Sequence, residues 1–403
     1  MQNKEKGKIL ILKLHHKLFS ILICHNQILS IQADDLDQTS QTCSIGNLYV
    51  GKVQNISANI GAAFVEIKKG VLTFLPLAEA KDAIITNRKA DGTIKAGDEL
   101  LVQLVKEPVK TKLAGVSTRL SLSGSYVVIE HRKGNTTGHT IRVSAKLGTK
   151  YHHLYKNLEP LQEIAEQFDI IIRTNAGGID DVSKVVTEAQ TLTEQMEHIL
   201  NIVDKRTCFS CLYQGEPEYL AFVKNCYQSE YDEIITDEKE IYEILQKRLV
   251  PNIRFYEDNM LPLYKLYSIE TRLKELTDKK VWLKSGGYLV IEQTEALIAI
   301  DVNTGKYEAG KNQEETYLKI NLEAAEAIAR ALRARNLAGI ILIDFINMKN
   351  KEHMEQLTEK MKDFLKRDVV PAYVVDITGL GLMEITRKKK SKSFAEQMQN
   401  VRL

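Results

Sequence analysis

No stretch of this chain carries enough consecutive apolar residues to cross a bilayer, and its amino terminus lacks the unbroken apolar core of a signal peptide. Met1 to Lys8 is polar, and Lys13, His15, His16 and Lys17 interrupt the apolar stretch beyond it. Cysteine is sparse and odd in number, with Cys24, Cys43, Cys208, Cys211 and Cys226. Such thiols make no disulfide framework and suit a reducing cytoplasm. With only seven prolines, no tract is polar or biased enough to be read as disordered over any length. It also lacks an excess of either charge: 55 basic against 53 acidic residues give +2. That excludes a uniformly basic coat for nucleic acid, so an acidic partner must meet local basic patches.

What is present is a globular composition, 44% hydrophobic and 27% charged, over 403 residues. That length exceeds one ordinary core and predicts two to four domains. Lys8 to Ala33 is strand-like. Between Ile45 and Leu122, GNLYVGKV, GAAFVEIKKG, VLTFLPL and DELLVQLV read as short strands joined by turns, the pattern of a small barrel or sandwich. SYVVIEH and TIRVSA continue as strands. Leu158 to Phe168 and Ser183 to Val203 read as helices flanking the strand DIIIRT, and Glu238 to Leu249 as another helix. In the last third, GYLVIEQTEALIAIDVN reads as two strands. Asn312 to Arg335 reads as a helix with Leu318, Leu322, Ala325, Ala329 and Leu332 along one face. AGIILIDFI is a buried strand, Lys351 to Arg367 a helix, and VVPAYVVDI a further strand. There is no solenoid-type repeat.

The chemistry concentrates in that last third. Asp301 ends the apolar run ALIAID, Asp344 ends GIILID, and one amphipathic helix lies between them. Such a crossover joins parallel strands, so both carboxyl ends emerge at one sheet edge, where open α/β sheets place their ligands. Two aspartates there can share a hard cation, and Asn303 adds a neutral oxygen. Oxygen-only ligation suits Mg²⁺ or Mn²⁺ and disfavours zinc. Either aspartate alone is more often a turn residue, as in DVNTG. The matched pair favours the metal.

The strings GGYLVIEQTEALIAIDVNTGKYEAG, EETYLKINLEAAEAIARALRARNLAGIILIDFINM and TGLGLMEITRKK resemble the ribonuclease E/G family, and the likeness covers nearly the whole chain. The resemblance implies an α+β multidomain protein. A ribonuclease H-like structural part (residues 1–40 and 218–276) would hold an inserted S1-type OB-fold barrel (41–118) and a 5′ sensor (119–217). A DNase I-like α/β catalytic domain (277–403) would follow. It implies Asp301 and Asp344 as magnesium ligands, with Asn303 orienting the ion or the substrate. By the same likeness Phe64, Phe74 and Lys112 contact RNA, although phenylalanines in such strands are more often core. Arg173 and Thr174, with Gly124 and Val128 as the opposite wall, would sense a 5′-monophosphate. There an arginine fork, a hydroxyl and backbone N–H groups of a glycine turn suit an anion. Two departures stand out: Asn347 where the family usually has aspartate, and Gly379 where some members have an auxiliary arginine.

The expected activity is metal-dependent endonucleolytic hydrolysis of single-stranded RNA, in ribosomal RNA maturation or message turnover, stimulated by a 5′-monophosphate. The likeness implies products with a 5′-phosphate. Arg387, Lys388, Lys389, Lys390 and Lys392 read as a solvated helix face with a minor role on phosphates. Cys208-Phe-Ser-Cys211 has half-site spacing without a second pair, and the family's cysteine link has no counterpart up to Leu403. A zinc-bridged oligomer is therefore not expected, while a homo-oligomer without zinc is left open. Thr304-Gly-Lys306 lacks the glycine-rich lead of a phosphate loop. Two rivals stay open: an RNA-binding protein without activity, and a metal-dependent DNA nuclease or phosphoesterase on the same catalytic fold.

Overall fold

The computed structural model describes residues 6–36, 44–108, 112–131, 140–179, 181–248, 252–305 and 313–399. Met1, Cys43, Leu249, Lys306, Asn312 and Leu403 lie outside them. The chain divides into two compact units, residues 1–39 with 218–403, and residues 40–217.

The first unit contains two sheets. One has five strands in the order Ile253–Phe255, Tyr231–Thr236, Gly7–Leu14, Lys17–Cys24, Gln27–Asp35. The first three run parallel and the last two are antiparallel hairpin neighbours. An apolar run without alternation is what a strand covered on both faces requires. Ile9, Leu10, Ile11 and Leu12 are all fully buried. Leu10 and Leu12 pack with Ile235, Ala334 and Phe394, whereas Ile9 and Ile11 pack with Tyr219, Leu220 and Leu245.

The other sheet has six strands in the order Lys280–Trp282, Tyr288–Gln293, Leu297–Asn303, Gly339–Asp344, Met383–Arg387, Ala372–Ile377. Only the central pair, Leu297–Asn303 with Gly339–Asp344, is parallel. The helix Gln313–Ala334 makes that crossover, and with Lys351–Leu365 it covers one face of the sheet.

Two expectations need correction. Of the expected face of the crossover helix Ala325 and Leu332 are buried, but Leu318, Leu322 and Ala329 are only partly so, and the buried stripe takes in Ile320, Asn321, Ala324, Ile328 and Ala331 instead. A polar residue at the centre of the stripe masks it when apolar residues alone are tracked. The basic run is also no helix face. Arg387 ends the strand Met383–Arg387, is buried, and places Nε 2.8 Å from an Asp368 carboxylate oxygen. Its guanidinium also donates to Asn336 and to the Leu337 carbonyl. Arg387 is therefore a core ion-pair residue rather than a phosphate contact.

In the second unit the strands Leu48–Ser57, Ala62–Lys68, Val71–Pro76, Ala114–Ser117 and Glu99–Lys106 follow one another, and the last pairs back on the first. The result is a closed five-stranded barrel, the arrangement of an OB-fold. Beside it, in the same unit, Ile141–Val143, Asp169–Ile172, Val127–His131 and Leu120–Ser123 form a four-stranded sheet. The helix Ser183–Ile202 packs against it through Val185, Ala189 and Met196. The whole is a mixed α/β fold with a closed barrel. No helix among the described residues is long and apolar enough to cross a membrane.

Asp237 follows the strand Tyr231–Thr236 with one carboxylate oxygen buried and unpartnered. Burial pushes its carboxyl up to about 6, with Glu238 adding to the rise and Lys13 opposing it. The protonated form is thus the one folding favours. Its contribution is complete below the ordinary carboxylate range and is lost as pH rises through about 6. Asp237→Asn is expected to stabilise the protein near neutral pH by roughly 1 kcal/mol, allowing for solvent screening, and to be neutral near pH 4. Urea unfolding at both pH values checks this, and an equal effect at the two would contradict it.

Candidate metal centre and substrate-holding surfaces

Strand alternation sorts the six-stranded sheet into a covered and an open face. In Leu297–Asn303, Ile298, Ile300 and Val302 are buried under the helices, so Asp301 and Asn303 point to the open face. In Gly339–Asp344, Ile341 and Ile343 are buried and Asp344 is exposed. The parallel register pairs Asp301 directly with Asp344. Neighbouring strands lie about 4.8 Å apart, so the two carboxylates stand side by side on the same face.

Three contacts hold this edge. The Asn303 amide nitrogen donates to an Asp301 carboxylate oxygen at 2.6 Å, which fixes the carboxylate's orientation. Asn321, fully buried on the crossover helix, donates to the Ile346 carbonyl at 2.8 Å and accepts from the Ile346 N–H at 3.0 Å. It thereby clamps the backbone two residues beyond Asp344. Gly305 has φ +67°, and a Cβ there would lie 2.3 Å from the Gly286 carbonyl oxygen, so the turn after Asn303 requires glycine. Asn321 was not singled out from sequence. The signal available was an asparagine three residues before a paired alanine on an otherwise apolar helix stripe.

Among the described residues no three histidine, cysteine, aspartate or glutamate side chains group to hold a metal. Two exposed carboxylates and an amide nonetheless fit a hard divalent cation, which keeps several waters and takes one or two carboxylates plus substrate phosphate. The same all-oxygen set does not suit zinc. Cys208 and Cys211 form no disulfide, and burial with the nearby Glu99 pushes the Cys208 thiol up, away from the thiolate a metal needs. Asn347 is exposed in the loop after Asp344, and Gly379 is open to solvent.

On the barrel, Phe64 and Phe74 are cross-strand partners. Their centroids lie 6.5 Å apart in an edge-to-face pair. Both are half-buried and stand outside the barrel core that their neighbours Val65 and Leu75 enter. Lys112 is exposed, just ahead of the strand Ala114–Ser117 that pairs with Phe74's strand. The structure thus brings the two phenylalanines together and places the lysine at the start of the adjoining strand.

In the four-stranded sheet, Arg173 follows Asp169–Ile172. Its backbone N–H donates to the Tyr126 carbonyl at 2.7 Å and its guanidinium to the Gly124 carbonyl. Val128 pairs with Ile171, and the Thr174 hydroxyl meets Ser144 at 2.9 Å. The residue missed from sequence is Glu188 on the helix Ser183–Ile202. Its carboxylate accepts from the N–H groups of Ser125 (2.7 Å), Tyr126 (2.7 Å) and Val127 (2.9 Å). A Cβ on Gly124 would come within 2.2 Å of that carboxylate, so a side chain there would displace Glu188 from the three amides. These three amides are spent on Glu188. An anion beside Arg173 must use the arginine, the threonine hydroxyl and other donors.

The fold and its donor set define a protein with an oxygen-lined centre on the open face of an α/β sheet and paired outward aromatics on a closed barrel. Comparison with known proteins gives the family. The model of the ribonuclease E/G family matches residues 121–390. Ribonuclease G of Escherichia coli (strain K12) is 28% identical over 387 residues, covering 92% of this chain and 78% of that protein. Ribonuclease G of Haemophilus influenzae is 31% identical over 370 residues, covering 87% of this chain and 73% of that protein. Ribonuclease E of Buchnera aphidicola (Acyrthosiphon pisum) is 28% identical over 382 residues, covering 91% of this chain and 42% of that protein. The chain belongs to the ribonuclease E/G family.

Replacing Asn321 with leucine strands the N–H and carbonyl of Ile346 without their partner. Each unmet group costs about 1–3 kcal/mol. Asn321→Leu is therefore expected to lower the melting temperature although leucine is apolar and similar in size, and a melting curve matching wild type would refute the clamp.

Proposed function

We propose that this chain, an endoribonuclease by family, hydrolyses internal phosphodiesters of single-stranded RNA in the cytoplasm, at a divalent cation held by Asp301 and Asp344. The observation that carries this is the direct pairing of the two aspartates on the open sheet face. Mg²⁺ is the ion the donor set favours, and Mn²⁺ is the natural substitute. Bound there, such an ion would supply Lewis acidity to the phosphodiester and to a water. The chain's own part is to hold and orient. Asp301 and Asp344 supply ligand oxygens, and Asn303 fixes Asp301 by the hydrogen bond its side-chain amide donates. Asn321 keeps the end of the Asp344 strand in register.

The division of labour follows the family. Residues 277–403 act as the DNase I-like catalytic domain. Residues 1–40 with 218–276 serve as a ribonuclease H-like structural part, a reading supported by its two-hairpin-plus-parallel strand order. Residues 41–118 hold RNA as an S1-type barrel, with Phe64 and Phe74 stacking on bases and Lys112 on phosphate. Residues 119–217 sense the 5′ end through Arg173 and Thr174 against Gly124 and Val128. The work of such an enzyme is RNA processing and decay.

Asp301→Asn and Asp344→Asn are expected to lower cleavage of a short labelled RNA at least about a hundredfold, several kcal/mol of transition-state stabilisation, with the fold kept. Near-normal turnover of either variant at millimolar Mg²⁺ would remove the metal assignment, and preferential cleavage of single-stranded DNA would favour the rival nuclease. Cleavage should also be faster on 5′-monophosphate RNA than on the 5′-hydroxyl form. Loss of one charge-assisted hydrogen bond in Arg173→Ala weakens that preference roughly tenfold to hundredfold. Equal wild-type rates on both RNAs would show that the end is not sensed.

A further inference from the structure

The open face that carries the two aspartates continues outward to the sheet's edge strand, and what it meets there is aromatic and cationic. Lys280 and Trp282 alternate with Val281, which packs on the helix-covered core, so both project to the open face. Trp282 pairs with Tyr288 across the next strand, and Tyr288 pairs in turn with Asn303. Val290, opposite Lys280, pairs with Asp301. The row Trp282, Tyr288, Asn303 therefore crosses three strands and ends beside the carboxylates.

The rings of Trp282 and Tyr288 are 5.4 Å apart and tilted by 60°. The Lys280 ammonium sits 4.0 Å from the indole centroid and 3.6 Å from the phenol centroid. Even so, Trp282 remains 65% exposed. A cation–π contact that served only to pin the edge strand would not need an indole held out to solvent. A preset ring that keeps most of its surface exposed, with a lysine fixed against it, has the two parts of a single-stranded nucleic acid site: a stacking surface and a phosphate-neutralising charge. Charge argues the same way. Asp301, Asp344 and the partly exposed Glu384 make this face locally acidic, so an anionic strand crossing it needs a cation close by, and Lys280 is exposed with its ammonium held against the two rings.

We propose that Trp282, backed by Tyr288 and carrying Lys280, is a base-stacking platform for a nucleotide flanking the scissile phosphate of single-stranded RNA. The proposal rests on the RNA-cleaving reading above and adds a positioning site to it. Stacking on the indole, with the adjacent phosphate on Lys280, would hold the strand across the sheet toward Asp301 and Asp344.

Trp282 is the protein's single tryptophan, so its fluorescence reports the site directly. The experiment titrates the full-length Asp344→Asn variant with a dye-labelled ten-nucleotide single-stranded RNA in Mg²⁺, reading tryptophan quenching and dye anisotropy together. Cleavage kinetics of otherwise wild-type Trp282→Ala, Trp282→Phe and Lys280→Ala are measured in parallel. The expected result is saturable quenching with the same midpoint as the anisotropy change. KM should rise about tenfold in Trp282→Ala and largely recover in Trp282→Phe, and the weaker binding of Lys280→Ala should be masked at high salt. Anisotropy without quenching, together with a Trp282→Ala enzyme of wild-type KM, would overturn the platform and leave the ribonuclease reading standing. If wild type neither bound nor cut RNA, that reading would fall and the platform with it. A shift in sedimentation between wild type and Trp282→Ala, with unchanged RNA binding, would assign the face to a second copy of the chain and also overturn it.

Discussion

The crossover through the helix Gln313–Ala334 joins two strands that run parallel, and the register of that one parallel pair decides which side chains meet at the sheet edge. Every other neighbour relation in the six-stranded sheet is antiparallel. An antiparallel neighbour would bring the carboxyl end of one strand against the amino end of the next. The crossover instead brings two carboxyl ends together, and a slip by one residue would turn one aspartate into the core. Apolar alternation in both strands forbids that slip, because Ile300 and Ile343 must stay under the helices.

Covering only one face of the sheet is the second constraint, and it derives from the first. With both helices on the same side, the opposite face carries Trp282, Tyr288, Asp301, Asp344 and Thr386 alongside exposed aliphatic residues such as Ile340 and Val375. The helices supply the rigidity: Asn321 reaches from the crossover helix to the Ile346 backbone, and Arg387 with Asp368 fixes a neighbouring strand from the covered side. Buried polar groups of this kind are weak evidence for net stability, since the desolvation they suffer offsets much of their attraction. Their use here is geometric. They specify where strand ends stop.

In the second unit the same logic appears with other parts. The barrel fills its interior with Val65, Ile67 and Leu75 and leaves Phe64 and Phe74 outward as a pair. Beside it, the wall at Gly124 is shaped by Glu188, whose carboxylate ties up three successive amides. That carboxylate makes the surroundings of Arg173 less favourable to an anion than a bare amide cluster would be. The arginine and the Thr174 hydroxyl carry correspondingly more of any recognition.

Much of this was legible along the chain. Alternation gave many of the strands, the 3.6-residue period gave the long helices Ser183–Ile202, Gln313–Ala334 and Lys351–Leu365 to within a few residues but not the short ones Thr149–Lys156 and Ile269–Thr277, and two aspartates closing two apolar runs around a helix pointed to one edge of a sheet. Other features were not. The strand Met383–Arg387 inserts between two others and draws Arg387 out of what reads as a solvated basic run. Asn321 occupies the middle of an apolar stripe, and Glu188 lies far along the chain from the turn it caps. Trp282 reaches the Asp301 face only through two successive strand pairings. Local periodicity determined which side of each element is apolar, because that depends on near neighbours alone. Tertiary structure decided which polar groups are buried and what they hold, because a buried charge or amide is tolerated only where a partner distant in sequence meets its hydrogen bonds.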